Sequence, residues 1–234
     1  MIRLYDTEFS AECYKARLLL ALLGVEHELV PVDIHPGHDH EQEDFLALNP
    51  LGEVPVLGAG DLTLRSANAI LIWIAGLFDA EGHWLPKDAD GAALCQGWLG
   101  MAERLAASAG RARMTLARGE ALPDSRWTDE AQRLLRAVDE HLWFAEQAEQ
   151  NWLVPGPCPT IADIACFPDI ALCEEAGVSR INYPAIRRWM DRVRRIDGFV
   201  LMSGVFAASR AAAQPRPEAT RPQLPHGASR TEHA

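Results

Sequence analysis

Positive charge is scarce in this chain. Its 22 lysines and arginines are outnumbered by 33 aspartates and glutamates, for a formal net charge of -11. Such a field repels phosphate backbones and anionic membranes, so neither nucleic acid nor a membrane is an expected partner. Long apolar runs are missing too, and none approaches the length that crosses a bilayer. The opening residues meet Asp6 almost at once, which is unlike a secretory signal peptide. No Cys-x-x-Cys pair occurs. The five cysteines, Cys13, Cys95, Cys158, Cys166 and Cys173, are odd in number and irregularly spaced. That pattern fits free thiols in a reducing cytoplasm rather than a disulfide framework. No internal repeat is visible.

What is present is ordinary globular material. The chain has 234 residues, 48% apolar and 24% charged, enough for one large domain or two small ones. The first eighty residues alternate between strand and helix signals. Strands are expected at 2–5, 28–32, 54–57 and 62–64, with a turn at 58–61. Helices are expected at 11–23, stopped by Gly24, in a short piece at 44–48, and at 66–78. Residues 79–88, with Gly82 and Pro86, read as a linker.

Only helical signals follow. One long helix is expected over 89–116, weakened by Gly97, Gly100 and Gly110 or letting another backbone approach at them. A loop over 118–125 and a helix over 128–150 come next. Thr160 and Asp163 have the spacing of a capping box ahead of a buried central helix over 161–172. Pro184 suits the first turn of a last helix ending near Ile196. Residues 207–234 lack apolar periodicity and are expected to be a disordered tail.

Four stretches resemble bacterial glutathione transferases: Ser10-Ala11-Glu12-Cys13-Tyr14-Lys15, the run Phe45 to Leu57 containing Asn49-Pro50-Leu51-Gly52-Glu53-Val54-Pro55, Leu64 to Leu71, and Thr160-Ile161-Ala162-Asp163-Ile164. The resemblance covers residues 1–206. It implies an α/β thioredoxin-like N-terminal domain followed by an all-α C-terminal helical bundle domain. The divisions are a glutathione-binding domain at 1–80, a linker at 81–88 and a substrate and dimerisation domain at 89–206. It also implies a cytoplasmic homodimer that takes glutathione and a small hydrophobic electrophile, with no metal.

Site residues follow from the same likeness. Ser10 falls where the family places a thiolate-stabilising hydroxyl. A hydroxyl at a helix start can donate to a sulfur anion, aided by the helix dipole. Lowering a thiol pKa by about two units takes roughly 2.7 kcal/mol, the size such groups supply. Ser10 can equally be a plain N-cap. Cys13, in the first turn of that helix, is either a thiol-transfer or peroxide-reducing group or a small core residue. The resemblance makes the Val54–Pro55 bond cis, opening Val54 to pair with the glutathione backbone as an added strand would. Ser66 and Ala67 stand where the family has an acid and a serine for the γ-glutamyl group. His40 is the candidate for the glycyl carboxylate.

Two departures matter. Glu12 brings a carboxylate near the expected thiolate, and the Ser66–Ala67 pair lacks the acid that would meet an ammonium. They keep open a non-catalytic interaction protein on the same scaffold. The histidines His35, His38 and His40 match no zinc spacing. The arginines of 187–195 read as a solvated face. Seven tryptophans are spread along the chain, and those at helical spacing among leucines read as core rather than substrate pocket.

Overall fold

A computed structural model describes residues 1–119, 122–202 and 204. The expected tail at 207–234, and residues 120–121 of the expected loop, lie outside the described residues.

Strand β1 (Ile2–Asp6) occupies the middle of a four-stranded sheet. It runs parallel to β2 (Glu28–Pro31) and antiparallel to β3 (Val56–Ala59), which pairs antiparallel with β4 (Leu62–Leu64). The sheet order is β2-β1-β3-β4. Two helices carry the leucine and isoleucine stripes that cover it, α1 (Ala11–Leu22) and α3 (Ala67–Phe78). Between β2 and β3 lies the short α2 (Glu43–Leu48). Strand β3 begins later than expected, after the proline that cannot donate to a ladder. Gly58 and Ala59 therefore belong to the strand, opposite Arg3 and Ile2.

From Ala89 onward the fold is helical: α4 (Ala89–Leu105), α5 (Arg111–Ala117), α6 (Ser125–Gln147), α7 (Ile161–Ala171) and α8 (Pro184–Val193). The single helix expected over 89–116 is instead two, joined by a π-helical turn over Ala106–Gly110. Small side chains let that turn widen, and it seats against α7. A Cβ on Gly110 would lie 2.7 Å from Asp169 Oδ1. Among the described residues, nothing beyond its own helix lies within 4 Å of where a Cβ on Gly97 or Gly100 would stand. Asp124 starts α6 three residues earlier than expected by accepting from the N–H of Arg126 at 2.9 Å.

Helix α7 is buried over its whole length and forms the central post. Its capping box is present: the Thr160 N–H donates to Asp163 Oδ2 at 2.9 Å, and Thr160 Oγ1 accepts from the Ala162 N–H. Helix α7 packs on α1, α3 and α4, so one apolar core runs from the sheet helices into the bundle. The junction is pinned by the Ile161 N–H, which donates to Trp84 O at 2.8 Å. Among the described residues no helix is long and apolar enough to cross a membrane.

Candidate functional site

Sheet register brings the expected site residues to one edge. Asp6, at the end of β1, lies opposite Pro31, at the end of parallel β2. Tyr5 lies opposite Val56, at the start of antiparallel β3, and Leu57 lies opposite Leu64, at the end of β4. The chain after β1, the chain after β2, the chain before β3 and the chain after β4 thus leave the sheet at the same edge. Those segments carry Ser10, His40, Val54–Pro55 and Ser66–Ala67.

Ser10 caps α1. Its Oγ accepts from the Cys13 N–H at 3.2 Å. Ser10 is half-buried, at the boundary between core and solvent. Cys13 is fully buried. Burial pushes its thiol up to about 12, and hydrogen bonds from Ser10 and Thr7 offset only part of that. A nucleophilic cysteine is favoured by the opposite environment.

Glu12 does not present a bare charge to the cleft. It pairs with Lys15 one turn on, and Lys15 also lies 3.2 Å from Asp169 of α7. The Lys15 and Asp169 side chains are only 1% and 2% exposed. Burial alone would lower the lysine pKa, but Asp169 and Glu12 outweigh it and hold the ammonium charged. A lysine inside a leucine-rich, core-facing helix was a visible signal of a buried ion pair. Its partner could not be read from sequence.

The Val54–Pro55 peptide is cis, as is His35–Pro36. Among the described residues, neither the N–H nor the C=O of Val54 has a hydrogen-bond partner. Asn49 builds the loop that presents it. That side chain is fully buried, donating to Glu53 O at 2.8 Å and accepting from the Leu51 N–H at 3.2 Å. Gly52, at φ +64, lets His40 O come within 3.0 Å of where a Cβ would stand. The His40 loop therefore abuts the Val54 loop. The His40 ring stacks on His38 with centroids 6.0 Å apart, and among the described residues its Nδ1 has no hydrogen-bond partner.

Ser66 caps α3 and is exposed, with Oγ accepting from the Ala69 N–H at 3.5 Å. Among the described residues the N–H groups of Ala67 and Asn68 have no hydrogen-bond partner, as is usual at a helix start. Asn68 fastens this end to α4, donating to Glu103 Oε1 at 2.8 Å and to Leu99 O at 3.2 Å. No acid from the described residues stands beside Ser66 in a hydrogen bond or ion pair. Nor, among them, do three His, Cys, Asp or Glu side chains converge as metal ligands would.

Sequence reading missed Arg113. This arginine of α5 is 6% exposed, and it reaches across to the loop that delivers Ser10. Nothing in the local pattern separates it from the neighbouring arginines of its helix.

A mixed four-stranded sheet, helix starts at one of its edges, a cis proline beside them and an all-helical second half define a two-part protein of thioredoxin-like type. The model of the glutathione S-transferase N-terminal domain matches residues 1–76, and that of the C-terminal domain matches residues 103–192. Glutathione S-transferase 3 of Zea mays is 38% identical over 98 residues, which are 42% of this chain and 44% of that one. The chain thus spans less than half the length of that relative. Glutathione S-transferase theta-2 of Homo sapiens is 27% identical over 215 residues, covering 86% of this chain and 87% of that one. The crystal structure of a glutathione S-transferase from Xanthobacter autotrophicus Py2 is 32% identical with a TM-score of 0.74, covering 86% and 97% of the two chains. The chain belongs to the glutathione S-transferase family.

Proposed function

We propose that the protein is a glutathione transferase that adds the glutathione thiolate to a small hydrophobic electrophile. The reading is carried by one observation: an unpaired Val54 peptide, the Ser10 hydroxyl and the open start of α3 share one edge of the sheet. The Val54 N–H and C=O would pair with the peptide backbone of glutathione. The Ala67 and Asn68 N–H groups, with Ser66, would receive its γ-glutamyl carboxylate. His40 would face the glycyl end. The Ser10 hydroxyl would donate to the sulfur, favouring loss of the thiol proton to water. The sulfur electron pair then forms the bond to the electrophilic carbon. Its leaving group departs, or the adduct takes up a proton.

The pairing of Glu12 with Lys15 supports this reading, because a compensated carboxylate does not oppose a thiolate nearby. The buried state of Cys13 weighs against thiol transfer or peroxide reduction through that residue. The Ser66–Ala67 pair favours a second reading, a non-catalytic interaction protein on a glutathione transferase scaffold. In both readings the chain is a cytoplasmic homodimer, divided at 1–80, 81–88 and 89–206.

Calorimetry separates the two. Glutathione is expected to bind in the millimolar range, weakened by the missing acid; no heat at that concentration removes the transferase reading. Conjugation of a model aromatic electrophile is expected to fall about 100-fold in Ser10→Ala. A Ser10→Ala enzyme with unchanged rate would remove Ser10 from the chemistry.

A further inference from the structure

Two arginines grip consecutive carbonyls of the loop that leads into Ser10. Arg17, from α1, donates to Glu8 O at 3.0 Å and to Asp6 Oδ2 at 3.2 Å. Arg113, from α5, donates through Nη1 to Phe9 O at 2.8 Å. The first belongs to the sheet half and the second to the helical half. Phe9 O is the carbonyl of the peptide plane that enters Ser10. Fixing its direction fixes the Ser10 N–H on the opposite side of that plane. The same N–H donates to Thr7 O at 3.1 Å, closing the turn.

Arg113 is itself held. Its Nε donates to Glu175 Oε2 at 2.6 Å, from the short helical turn Cys173–Ala176 that follows α7. Gly204 covers that carboxylate: a Cβ there would fall 2.1 Å from Glu175 Oε1, at a φ of +82. A buried guanidinium is costly unless paired, and this one spends a donor on a main-chain carbonyl rather than a second acid. Fork geometry lets one rigid group bridge Glu175 and Phe9 at once.

We propose that Arg113, anchored by Glu175, is a positioning residue for Ser10. By fixing the Phe9–Ser10 peptide plane it aims the hydroxyl at the thiol. The helical half thereby tunes the acidity of a thiol bound on the sheet half. This inference rests on the reading that Ser10 stabilises the thiolate.

The test is the pKa of enzyme-bound glutathione, read from ultraviolet thiolate absorbance against pH, together with kcat and KM. Four variants are compared with the parent: Ser10→Ala, Arg113→Met, Arg113→Lys and Glu175→Gln. Arg113→Met is expected to raise the bound-thiol pKa by about one unit and to lower kcat about tenfold. KM for glutathione should stay within about twofold, because Arg113 touches no expected ligand contact. Arg113→Lys, which keeps a donor near Phe9 O, should recover part of both losses. Glu175→Gln should move them the same way by less. If Ser10→Ala leaves the bound-thiol pKa in place, the reading of Ser10 falls, and this inference with it. If Ser10→Ala raises it while Arg113→Met does not, only the positioning role is overturned. Should Arg113→Met fail to fold, Arg113→Lys and Glu175→Gln decide: an unmoved pKa in both overturns the role, and a rise in either supports it.

Discussion

Two aspartates of α7, Asp163 and Asp169, are both sealed from water and are held in opposite ways. Asp163 is surrounded by neutral donors: the N–H groups of Thr160 and Leu153, the Thr160 hydroxyl and the Trp189 indole at 2.8 Å. All of them belong to the helical half. Asp169 faces a cation from the other half, Lys15 of α1, and feels Arg113 as well. Burial raises both carboxyl pKa values, and the partners pull back: hydrogen bonds for Asp163, chiefly the Lys15 charge for Asp169. Directional donors suit a carboxylate that builds one packed unit. A charge pair suits a contact between two units, where it aligns α1, and so Ser10, against the bundle. The first aspartate ties the helical half together, and the second joins it to α1 of the sheet half.

Removing the first should cost most. Asp163→Ala strands several buried donors and is expected to cost about 5 kcal/mol in urea unfolding. Any folded fraction should keep an unchanged bound-thiol pKa. A loss below about 1 kcal/mol would mean the hydrogen-bonded hub is not what holds the bundle.

Breaking the second comes next. Lys15→Met leaves Asp169 buried and Glu12 uncompensated, at an expected cost of about 4 kcal/mol near neutral pH. The pH dependence carries the sign. A carboxyl whose folded pKa is raised contributes stability that is present below its unfolded value, about 3.9, and is lost as pH rises through the folded value. Without the ammonium the folded Asp169 pKa rises further. Urea midpoints of Lys15→Met should therefore fall progressively from mildly acid to neutral pH, relative to the parent. Lys15→Met with Asp169→Leu should regain most of the loss. Equal destabilisation at every pH would deny the pair its electrostatic role.

The smallest effect belongs to Cys13, which touches neither aspartate. Cys13→Ala is expected to cost about 1 kcal/mol and to leave conjugation within about twofold. Burial pushes the Cys13 and Cys173 thiols up to about 12. Their contribution to stability is thus complete below the ordinary thiol pKa, about 8.5, and declines as pH climbs above it. Cys13→Ala should flatten that alkaline decline. A conjugation rate lost in Cys13→Ala but kept in Ser10→Ala would reverse the assignment of the site.

Legibility followed the range of the forces involved. Ser10, Ser66 and the Thr160–Asp163 box were readable because a cap is chemistry within one turn of chain. The strand at 54–57 was readable from its short apolar run before a turn, although the start of β3 moved two residues because proline cannot join the ladder. The helical run over 89–116 was readable but its π turn was not: the turn widens over small side chains and sets Gly110 against Asp169 of a distant helix. Glu12 looked like a liability until Lys15 was seen to meet it. Cys13 could be read either as a reactive thiol or as a small core residue, because its burial is something no local pattern reports.

By itself the amino-acid order determined the succession of strands and helices, the capped helix starts and the scarcity of positive charge, all of them properties of neighbours along the chain. Tertiary structure alone decided that Lys15 meets Asp169 and that Arg113 meets Phe9 across 104 positions of sequence. Those contacts exist only once the sheet half and the bundle share a core, because burial gives each charge its cost and its partner.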